Sequence, residues 1–585
     1  MSVARFGRTL LLISPALLLI AAVAFVILKP GAPPAGGTLA DEPAGDGKLV
    51  VLVVFDQLRG DYLERWKNHY GPDGFERLKR DGAWYSNVRL PYSASSTGPG
   101  HASLLTGTTP SVHGIVENRW FDRTRGKVIA ASTEDGIERV PFLETASRER
   151  WPGLSPKKLL APTVGDALKA QTKTGRTFSL SLKDRAAVLM GGQEPNGAYC
   201  FDSSSGEFHT SAHYREKIPA WADAFDRSRA VYRWAGKTWD RVGPASAYEA
   251  LGPDDVEGEG GRIYAGRRTF PYRLGAPDDR TRNYFEALEY SGFGNDLLWE
   301  FAKAALDGEK IGRNGTTDLL CLGFSTNDMI GHAFGPDSHE VLDITLRSDR
   351  LIAEMIAHLD ATVGIGRWSL VVTADHGICP LPEVAAKTHP DAKRVGFADI
   401  FGGLDEHLDK VFGQLNGVPG QWIERGIVDC YPWIHLNRRL VDAFGLKLSE
   451  VESAAASWLR ERPTPLAVFT RTELEKGTFH SVEEQKIGLL VKASFYPERS
   501  GDLAIVHPAY HLVLGNISYG TDHGTPHDYD RHVPVMVFGA GVPKIGECKD
   551  ATSSLIVAPL LARLLGIEPP AMAKEPLPDV LRVTK

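Results

Sequence analysis

Carboxylate and imidazole side chains recur at points where this sequence leaves an apolar run, and these side chains are common ligands of hydrolytic metal ions. The set consists of Asp56, Asp328, His332, Asp375, His376 and His523. Three carboxylates and three imidazoles without a thiolate suit two zinc ions. Two such ions ~3.5 to 4 Å apart can hold the attacking and leaving oxygens of an in-line displacement. The set therefore predicts a two-zinc hydrolytic centre.

Two local spacings favour a shared centre. Asp328 and His332 are four residues apart just past an apolar run, so both side chains can reach one ion from one face. Asp375 and His376 are adjacent, and Gly377 lets the backbone turn sharply enough for both to ligate. Each spacing predicts a pair of ligands for one metal ion.

The segment 91–101, PYSASSTGPGH, supplies the candidate nucleophile, Thr97. A strand-like run precedes it and a helix-like run over residues 101–106 follows it. Backbone N–H groups and the helix dipole favour an anion at such a turn, although an ordinary N-cap has the same pattern. A threonine hydroxyl bound to a metal ion loses its proton more readily than a free alcohol. The predicted zinc centre therefore makes Thr97 the best-placed nucleophile.

Lys183, Asp184 and Arg185 follow a strand-like run over residues 177–182. One reading is a solvated loop end with a local salt bridge of little energetic value. The other is a clamp in which Lys183 and Arg185 hold phosphoryl oxygens, since arginine suits bidentate contact. These three residues alone leave both readings open.

The elements that must position these side chains alternate between strand and helix. Strand-like runs cover residues 49–55, 83–89, 177–182, 318–324, 368–373 and 533–538, and helix-like runs cover 163–171, 293–306, 338–363 and 553–565. Continuous apolar, β-branched runs indicate parallel strands buried on both faces, whose carboxyl ends bind ligands in open α/β sheets. Asp56 stands at one such end, although it could instead cap a helix starting near Asp61. The order predicts an α/β fold with a mostly parallel central sheet sandwiched by helices.

The length of 585 residues exceeds the ~250 to 300 at which a single core stops growing, so one large domain with insertions, or two domains, is expected. Periodicity fails over 199–290, and residues 380–518 are of mixed character with an amphipathic stretch near 448–459. We interpret both segments as cap insertions in a catalytic domain spanning 48–566, followed by a tail over 567–585. At the other end, Arg5 and Arg8 precede an apolar run over 10–28 and a Pro/Gly/Ala linker over 29–47. This leader predicts export to a bacterial periplasm. A cleaved signal and a retained membrane tether are both open.

The net charge of -7 and the pI near 6.2 give no reason to expect nucleic-acid binding. An anionic substrate must therefore meet local positive charge. The five cysteines lack CxxC spacing, which argues against a thiolate zinc site or a dense disulfide framework, while one bridge remains open. Four histidines are interpreted as lying outside the metal shell, where they either pack in the core or support a metal ligand from behind: His101, His113, His527 and His532.

The chain resembles the alkaline phosphatase superfamily, and within it the phosphate-irrepressible alkaline phosphatases that use threonine as nucleophile. The matching pieces, in the family's order, are VVFDQLRGDYL, PYSASSTGPGH, HGIVENRW, SLKDRAAV, STNDMIGH, TADHG and TDHGTPHDYDRHVP. The resemblance implies one zinc held by Asp328, His332 and His523, and a second held by Asp56, Asp375, His376 and Thr97. It also implies that Asn118, Lys183 and Arg185 hold the phosphoryl oxygens. The implied activity is hydrolysis of small phosphate monoesters through a phosphothreonine, favoured at alkaline pH.

Two differences from related enzymes of the superfamily restrict the class of substrate that the sequence predicts. Related sulfatases need Cys or Ser in a C/S-x-P-x-R pattern, whereas this chain has TGPGH. Nucleotide pyrophosphatases and phosphodiesterases share the threonine and the metal set but lack the Lys-x-Arg pair. Because a monoester carries nearly two non-bridging charges against one on a diester, Lys183 and Arg185 favour the monoester.

The alkaline phosphatase prediction has two alternatives. One is a phosphodiesterase of the same superfamily, and the other is a non-catalytic surface protein that binds phosphorylated ligands. The sequence leaves open the physiological substrate, the oligomeric state and whether an additional ion such as calcium binds.

Overall fold

The computed structural model describes residues 48–141, 152–424, 430–513 and 519–578. Eleven strands in this part of the chain form one central sheet. In chain order they are β1 Leu49–Phe55, β2 Ala83–Arg89, β3 Arg139–Val140, β4 Arg176–Ser181, β5 Gly197–Asp202, β6 Glu207–Ser211, β7 Asp318–Phe324, β8 Trp368–Thr373, β9 His532–Gly539, β10 Gly546–Cys548 and β11 Thr552–Ser553. The predicted leader and linker, residues 1–47, lie outside the described residues.

The strands are ordered β10-β2-β9-β8-β1-β7-β4-β5-β6-β3, and β11 pairs with β2. The five central strands, β8 through β5 in this order, run parallel to one another. Antiparallel pairs occur on both sides of this block, where β9 joins β8 to β2 and β6 joins β5 to β3. The predicted mostly parallel sheet is confirmed.

Helices cover both faces of this sheet. The ones that matter for the site or the core are α1 Thr97–Thr106, α2 Val164–Thr172, α3 Asp184–Gly191, α4 Gly294–Gly308, α5 Thr326–Phe334, α6 His339–Leu359 and α7 Val557–Leu565. Every side chain of β1, β7 and β8 is buried, as expected for parallel strands with helices on both sides. Among the described residues, none of the helices combines the length and the apolar character needed to cross a bilayer.

The two predicted insertions differ in how they are built. The segment predicted from residue 199 begins inside β5, so its first residues complete the central sheet, and the rest packs into the main core through Trp239, Tyr272 and Tyr284. The segment from residue 380 carries a separate three-stranded sheet, Trp433–Ile434, Leu503–Val506 and Ala467–Thr470, with apolar clusters of its own. The five cysteines all lie in described residues, and none forms a disulfide.

Candidate active site

Three neighbouring parallel strands bring the predicted carboxylates to one edge of the sheet. β1 lies between β7 and β8, with Phe55 opposite Phe324 and Val54 opposite Thr373. Asp56 therefore leaves the sheet beside Asp375, which follows β8, and beside Asp328 in the first turn of α5 after β7. All three carboxylates are buried. The register of the sheet thus explains why residues so distant in sequence meet.

Asp56, Asp375 and His376 form one group, which we call group A. His376 Nε2 lies 3.3 Å from Asp56 Oδ1 and 3.4 Å from Asp375 Oδ2. Their potential ligand atoms all lie within 4.8 Å of one another. Group A contains the residues that the resemblance implied for one metal ion, apart from Thr97.

Asp328, His332 and His523 form a second group, which we call group B. His332 Nε2 and His523 Nε2 lie 3.2 and 3.6 Å from Asp328 Oδ1. The helix α5 explains the first contact, since residues four apart lie on one face. The rings of His376 and His523 stack with centroids 3.7 Å apart, so groups A and B adjoin. The six predicted ligands therefore converge at one place.

The donor atoms of these groups fit cations. Asp56 Oδ1 and His376 Nε2 are buried without a hydrogen-bond partner among the described residues, although they face each other. Burial alone would lower the pKa of His376, but the charges of Asp375 and Asp56 outweigh it and raise the pKa to about 10. The pKa of His332 rises to about 9, because Asp328 outweighs burial in the same way. Carboxylates that attract protons this strongly also suit divalent ions with mixed O and N ligands.

Lys183 lies between the two groups. Its Nζ is 2.6 Å from Asp56 Oδ2, also contacts Asp328 Oδ2, and lies 3.5 Å from Thr97 Oγ1. Burial lowers the pKa of Lys183, but Asp328 and Asp56 outweigh it and keep the pKa raised. The ammonium group is therefore charged, pairs with the two carboxylates, and lies close to the hydroxyl of the candidate nucleophile.

Arg185 lies in the first turn of α3, two residues beyond Lys183. Its nearest carboxylate is that of Asp184, 3.8 Å from Nη1, which is a loose ion pair. The Nε atom of Arg185 is buried and has no hydrogen-bond partner among the described residues. A buried donor without an acceptor, close enough for its charge to affect Lys183, is what an anion site requires.

Thr97 is the first residue of α1 and is buried beside these groups. The helix approaches group A closely because Gly100 has no side chain: a Cβ there would lie 2.5 Å from the backbone oxygen of Asp375. On the other side of the turn, the Gly98 N–H donates to Asn118 Oδ1 at 2.7 Å. Thr97 and Asn118 therefore lie together, as the resemblance implied.

The four histidines that were expected outside the metal shell lie outside both groups. His101 Nδ1 lies 2.9 Å from Thr97 O and 3.1 Å from Asp375 Oδ2, so it holds the nucleophile turn against group A. The other three make contacts elsewhere: His113 with Ser103 Oγ, His527 with His507 O, and His532 with Ser86 O. His101 thus contacts a member of group A without belonging to it.

Sequence reasoning missed three residues at the site. Gln57 donates from Nε2 to Asp328 Oδ1 at 2.6 Å, and Glu117 accepts a hydrogen bond from Ser96. Asp522 Oδ1 lies 3.7 Å from His332 Nδ1, and the three residues His332, Asp522 and His523 form a further candidate metal group. A signal for Asp522 was present, since Asp-His-Gly occurs twice in the chain. Gln57 and Glu117 left no comparable pattern.

An α/β sandwich whose parallel strands deliver two adjoining acid and histidine groups beside a buried threonine is the arrangement of a metal-dependent hydrolase. Residues 50–530 match the family described as type I phosphodiesterase / nucleotide pyrophosphatase. The chain belongs to this family, which is part of the alkaline phosphatase superfamily.

Similar proteins of nearly the same length are known. Alkaline phosphatase PafA of Elizabethkingia meningoseptica is 31% identical over 91% of this chain and 94% of its own length. Alkaline phosphatase PhoV of Synechococcus elongatus is 30% identical over 90% of this chain and 91% of its own. The crystal structure of wild-type PafA superposes with a TM-score of 0.80, covering 90% of this chain and 98% of that one, which confirms the alkaline phosphatase-like fold.

Proposed function

We propose that this protein is an alkaline phosphatase, a phosphoric monoester hydrolase that uses two zinc ions and Thr97 as its nucleophile. One observation carries the proposal: Lys183 Nζ lies 3.5 Å from Thr97 Oγ1, with Arg185 two residues further on, next to the adjoining groups A and B. Similarity to alkaline phosphatases over nearly the whole chain supports the same activity. Two cations stabilise the more highly charged phosphate monoester more strongly than they stabilise a diester.

The ligand sets fit two zinc ions. Asp328, His332 and His523 would hold one ion, and Asp56, Asp375, His376 and Thr97 the other. When bound, such ions lower the pKa of a hydroxyl or a water and stabilise negative charge on the attacking and leaving oxygens.

The proposed reaction has two displacement steps at phosphorus, in which Thr97, Asn118, Lys183 and Arg185 have separate roles. The Thr97 hydroxyl loses its proton to solvent as its Oγ–P bond forms and the bond from phosphorus to the ester oxygen breaks, and the departing oxygen takes up a proton from solvent to leave as the alcohol. A water oxygen then bonds to phosphorus, the Thr97 Oγ–P bond breaks, Oγ takes up one proton of that water, and inorganic phosphate is released. Asn118 is oriented for this reaction: its Oδ1 accepts from Gly98 N, so its amide N–H groups are left to donate to phosphoryl oxygens. Lys183 and Arg185 supply the positive charge.

The test compares p-nitrophenyl phosphate with bis(p-nitrophenyl) phosphate on the zinc-loaded protein. We expect a higher kcat/KM for the monoester. A clear preference for the diester would assign the protein to the phosphodiesterases of the superfamily instead. Two bound zinc ions without turnover of either ester would indicate a protein that only binds phosphorylated ligands.

We also propose that the protein is exported to a bacterial periplasm. The support is the pair Arg5 and Arg8 followed by the uncharged apolar run over residues 10–28, which fits either a cleaved signal or an inner-membrane tether. Cell fractionation with N-terminal sequencing of the mature protein separates these two forms. Recovery of activity in the cytoplasm with an intact N-terminus would contradict export.

A further inference from the structure

The turn that presents Thr97 is held on both flanks by two consecutive residues. Ser96 Oγ donates to Glu117 Oε2 at 2.7 Å, and Gly98 N donates to Asn118 Oδ1 at 2.7 Å. The residue before Thr97 and the residue after it are therefore fixed to neighbouring positions of one segment. Asn118 has a role in the proposed reaction, whereas Glu117 has none so far.

The contacts of the Glu117 carboxyl group connect it to the turn that presents Thr97 and to the backbone of Asn118. Its side chain is buried, and its Oε2 also accepts from the backbone N–H of Asn118 at 3.4 Å. It lines a cavity of about 320 Å³ together with Ser96, Asn118 and His523. A carboxyl group at this position therefore links the nucleophile turn to the phosphoryl-binding asparagine.

Ser96 has no capping bond to make at the start of α1. It is the N-cap residue of this helix, where a serine hydroxyl normally accepts from the backbone N–H two or three residues further on. The first of these groups, Gly98 N–H, donates to Asn118 Oδ1, and the second position is Pro99, which has no N–H. The Ser96 hydroxyl instead donates to Glu117 Oε2 and so connects the residue before Thr97 to the segment that carries Asn118.

We propose that Glu117 is a positioning residue of the reaction, which fixes Thr97 by holding Ser96 while Asn118 holds Gly98. The proposal rests on the proposed function, since it assumes that Thr97 is the nucleophile. The two hydrogen bonds on either side of Thr97 restrain the backbone of the turn, and so the direction of Oγ. A displacement of about 1 Å at a reacting atom can cost ~100-fold in rate.

The contact works through acceptance of a hydrogen bond, which does not need a negative charge. Burial raises the pKa of Glu117 to about 7, partly offset by the hydrogen bond from Ser96. Either protonation state keeps an oxygen that can accept from the Ser96 hydroxyl, and so does a glutamine. Glu117→Gln should therefore keep the contact, whereas Glu117→Ala and Ser96→Ala should each remove it.

The experiment measures two quantities on zinc-loaded variants. One is the single-turnover rate at which p-nitrophenyl phosphate releases nitrophenolate, and the other is the inhibition constant of inorganic phosphate. Glu117→Ala and Ser96→Ala should each slow single turnover by ~10- to 100-fold. The double variant should be no slower than the worse single one, because both remove the same contact. Inhibition by phosphate should change by less than about threefold, since its ligands remain in place.

Glu452 provides a matched control. It is also a buried glutamate, and it accepts from the Thr472 hydroxyl at 2.7 Å, but it belongs to the separate three-stranded subdomain. Glu452→Ala should lower the melting temperature and leave the single-turnover rate unchanged. A loss of rate in this control equal to that of Glu117→Ala would assign the effect to general destabilisation.

Three results would overturn the proposal. These are a wild-type rate in Glu117→Ala, a rate in Glu117→Gln as low as in Glu117→Ala, and a loss of phosphate inhibition as large as the loss of rate. Thr97→Ala separates this failure from failure of the proposed function. If Thr97→Ala is inactive while Glu117→Ala is not, only the positioning role is wrong, and if Thr97→Ala is active, the nucleophile itself is wrong.

Discussion

The choice between monoester and diester depends on the charge that Lys183 and Arg185 bring to the transferred group. Lys183 Nζ lies 3.5 Å from Thr97 Oγ1. Phosphoryl oxygens that reach Thr97 therefore come within about 4 Å of this ammonium, where one unit of charge is worth ~4 kcal/mol at an effective dielectric constant of ~20. Asp56 and Asp328 share the same ammonium, so the net value is closer to that of one hydrogen bond to a charged group, about 1.5–3 kcal/mol.

The perturbation is made at Arg185 first. Replacing Lys183 also leaves Asp56 and Asp328 without their ammonium partner, so metal binding changes together with substrate binding. Within the described ranges, Arg185 pairs with neither of these carboxylates, and its ion pair is the loose contact with Asp184. Arg185→Met should reduce kcat/KM for p-nitrophenyl phosphate by ~10- to 150-fold relative to its value for the bis-ester, which corresponds to the same 1.5–3 kcal/mol. Lys183→Ala combined with Arg185→Ala should reduce the ratio further.

Two comparisons make the result interpretable. Arg185→Lys keeps the charge but loses the planar guanidinium, so it should recover part of the ratio. Arg215 is a matched control, since its side chain is 27% exposed against 28% for Arg185 and it pairs with Glu309 away from the metal-type groups. Arg215→Met should leave the ratio unchanged. Equal losses of monoester and diester hydrolysis in Arg185→Met would refute the electrostatic reasoning.

Three further predictions test other parts of the molecule. Thr97→Ala should keep its bound metal but lose at least ~10³-fold in turnover, whereas Thr97→Ser should stay measurably active, as judged by metal analysis and nitrophenolate release. Dialysis against a chelator should abolish turnover and zinc should restore it, with two ions per chain at full activity; full activity of the metal-free protein would contradict the metal assignment. Burial lowers the pKa of His435 to about 3, and neither of its ring nitrogens has a hydrogen-bond partner among the described residues. Below the unfolded pKa of ~6.5 the unfolded chain binds the extra proton, so stability is lost as pH falls, and His435→Phe should gain about 2 kcal/mol relative to wild type between pH 6.5 and 5 in urea unfolding. Parallel losses in the two proteins would show that His435 does not carry this effect.

The sequence predicted the parts of the site that the sheet positions. Runs of buried β-branched residues identify β1, β7 and β8, and the residues that follow parallel neighbours must emerge at one edge. Asp56, Asp328 and Asp375 can therefore be placed together from their positions in the sequence. Boundaries were also close where the pattern was strong: residues 368–373 were predicted as a strand, and β8 is Trp368–Thr373.

Contacts between loops could not be predicted in this way. Glu117 reaches Ser96 across a tertiary contact between segments without periodic pattern, so no spacing rule connects them. The same holds for Gln57, whose side chain reaches back to Asp328 from a backbone with φ of 71° that few non-glycine residues adopt. Such residues depend on the final packing of the chain, and their types alone are common in ordinary loops.

The repeated Asp-His-Gly sequence shows why local pattern and chemical role differ. At the first copy, Asp375 follows a central strand and is fixed by the backbone N–H of Gln57 at 3.2 Å, so its carboxylate is held inside group A. At the second copy, Asp522 has a side chain that is 42% exposed and lies 3.7 Å from His332, toward the outside of group B. A half-exposed carboxylate at this distance from His332 is better placed to modify the properties of a metal site than to hold the ion itself. We therefore expect the first tripeptide to supply two metal ligands and the second only one, because the sheet, and not the tripeptide, fixes the acid.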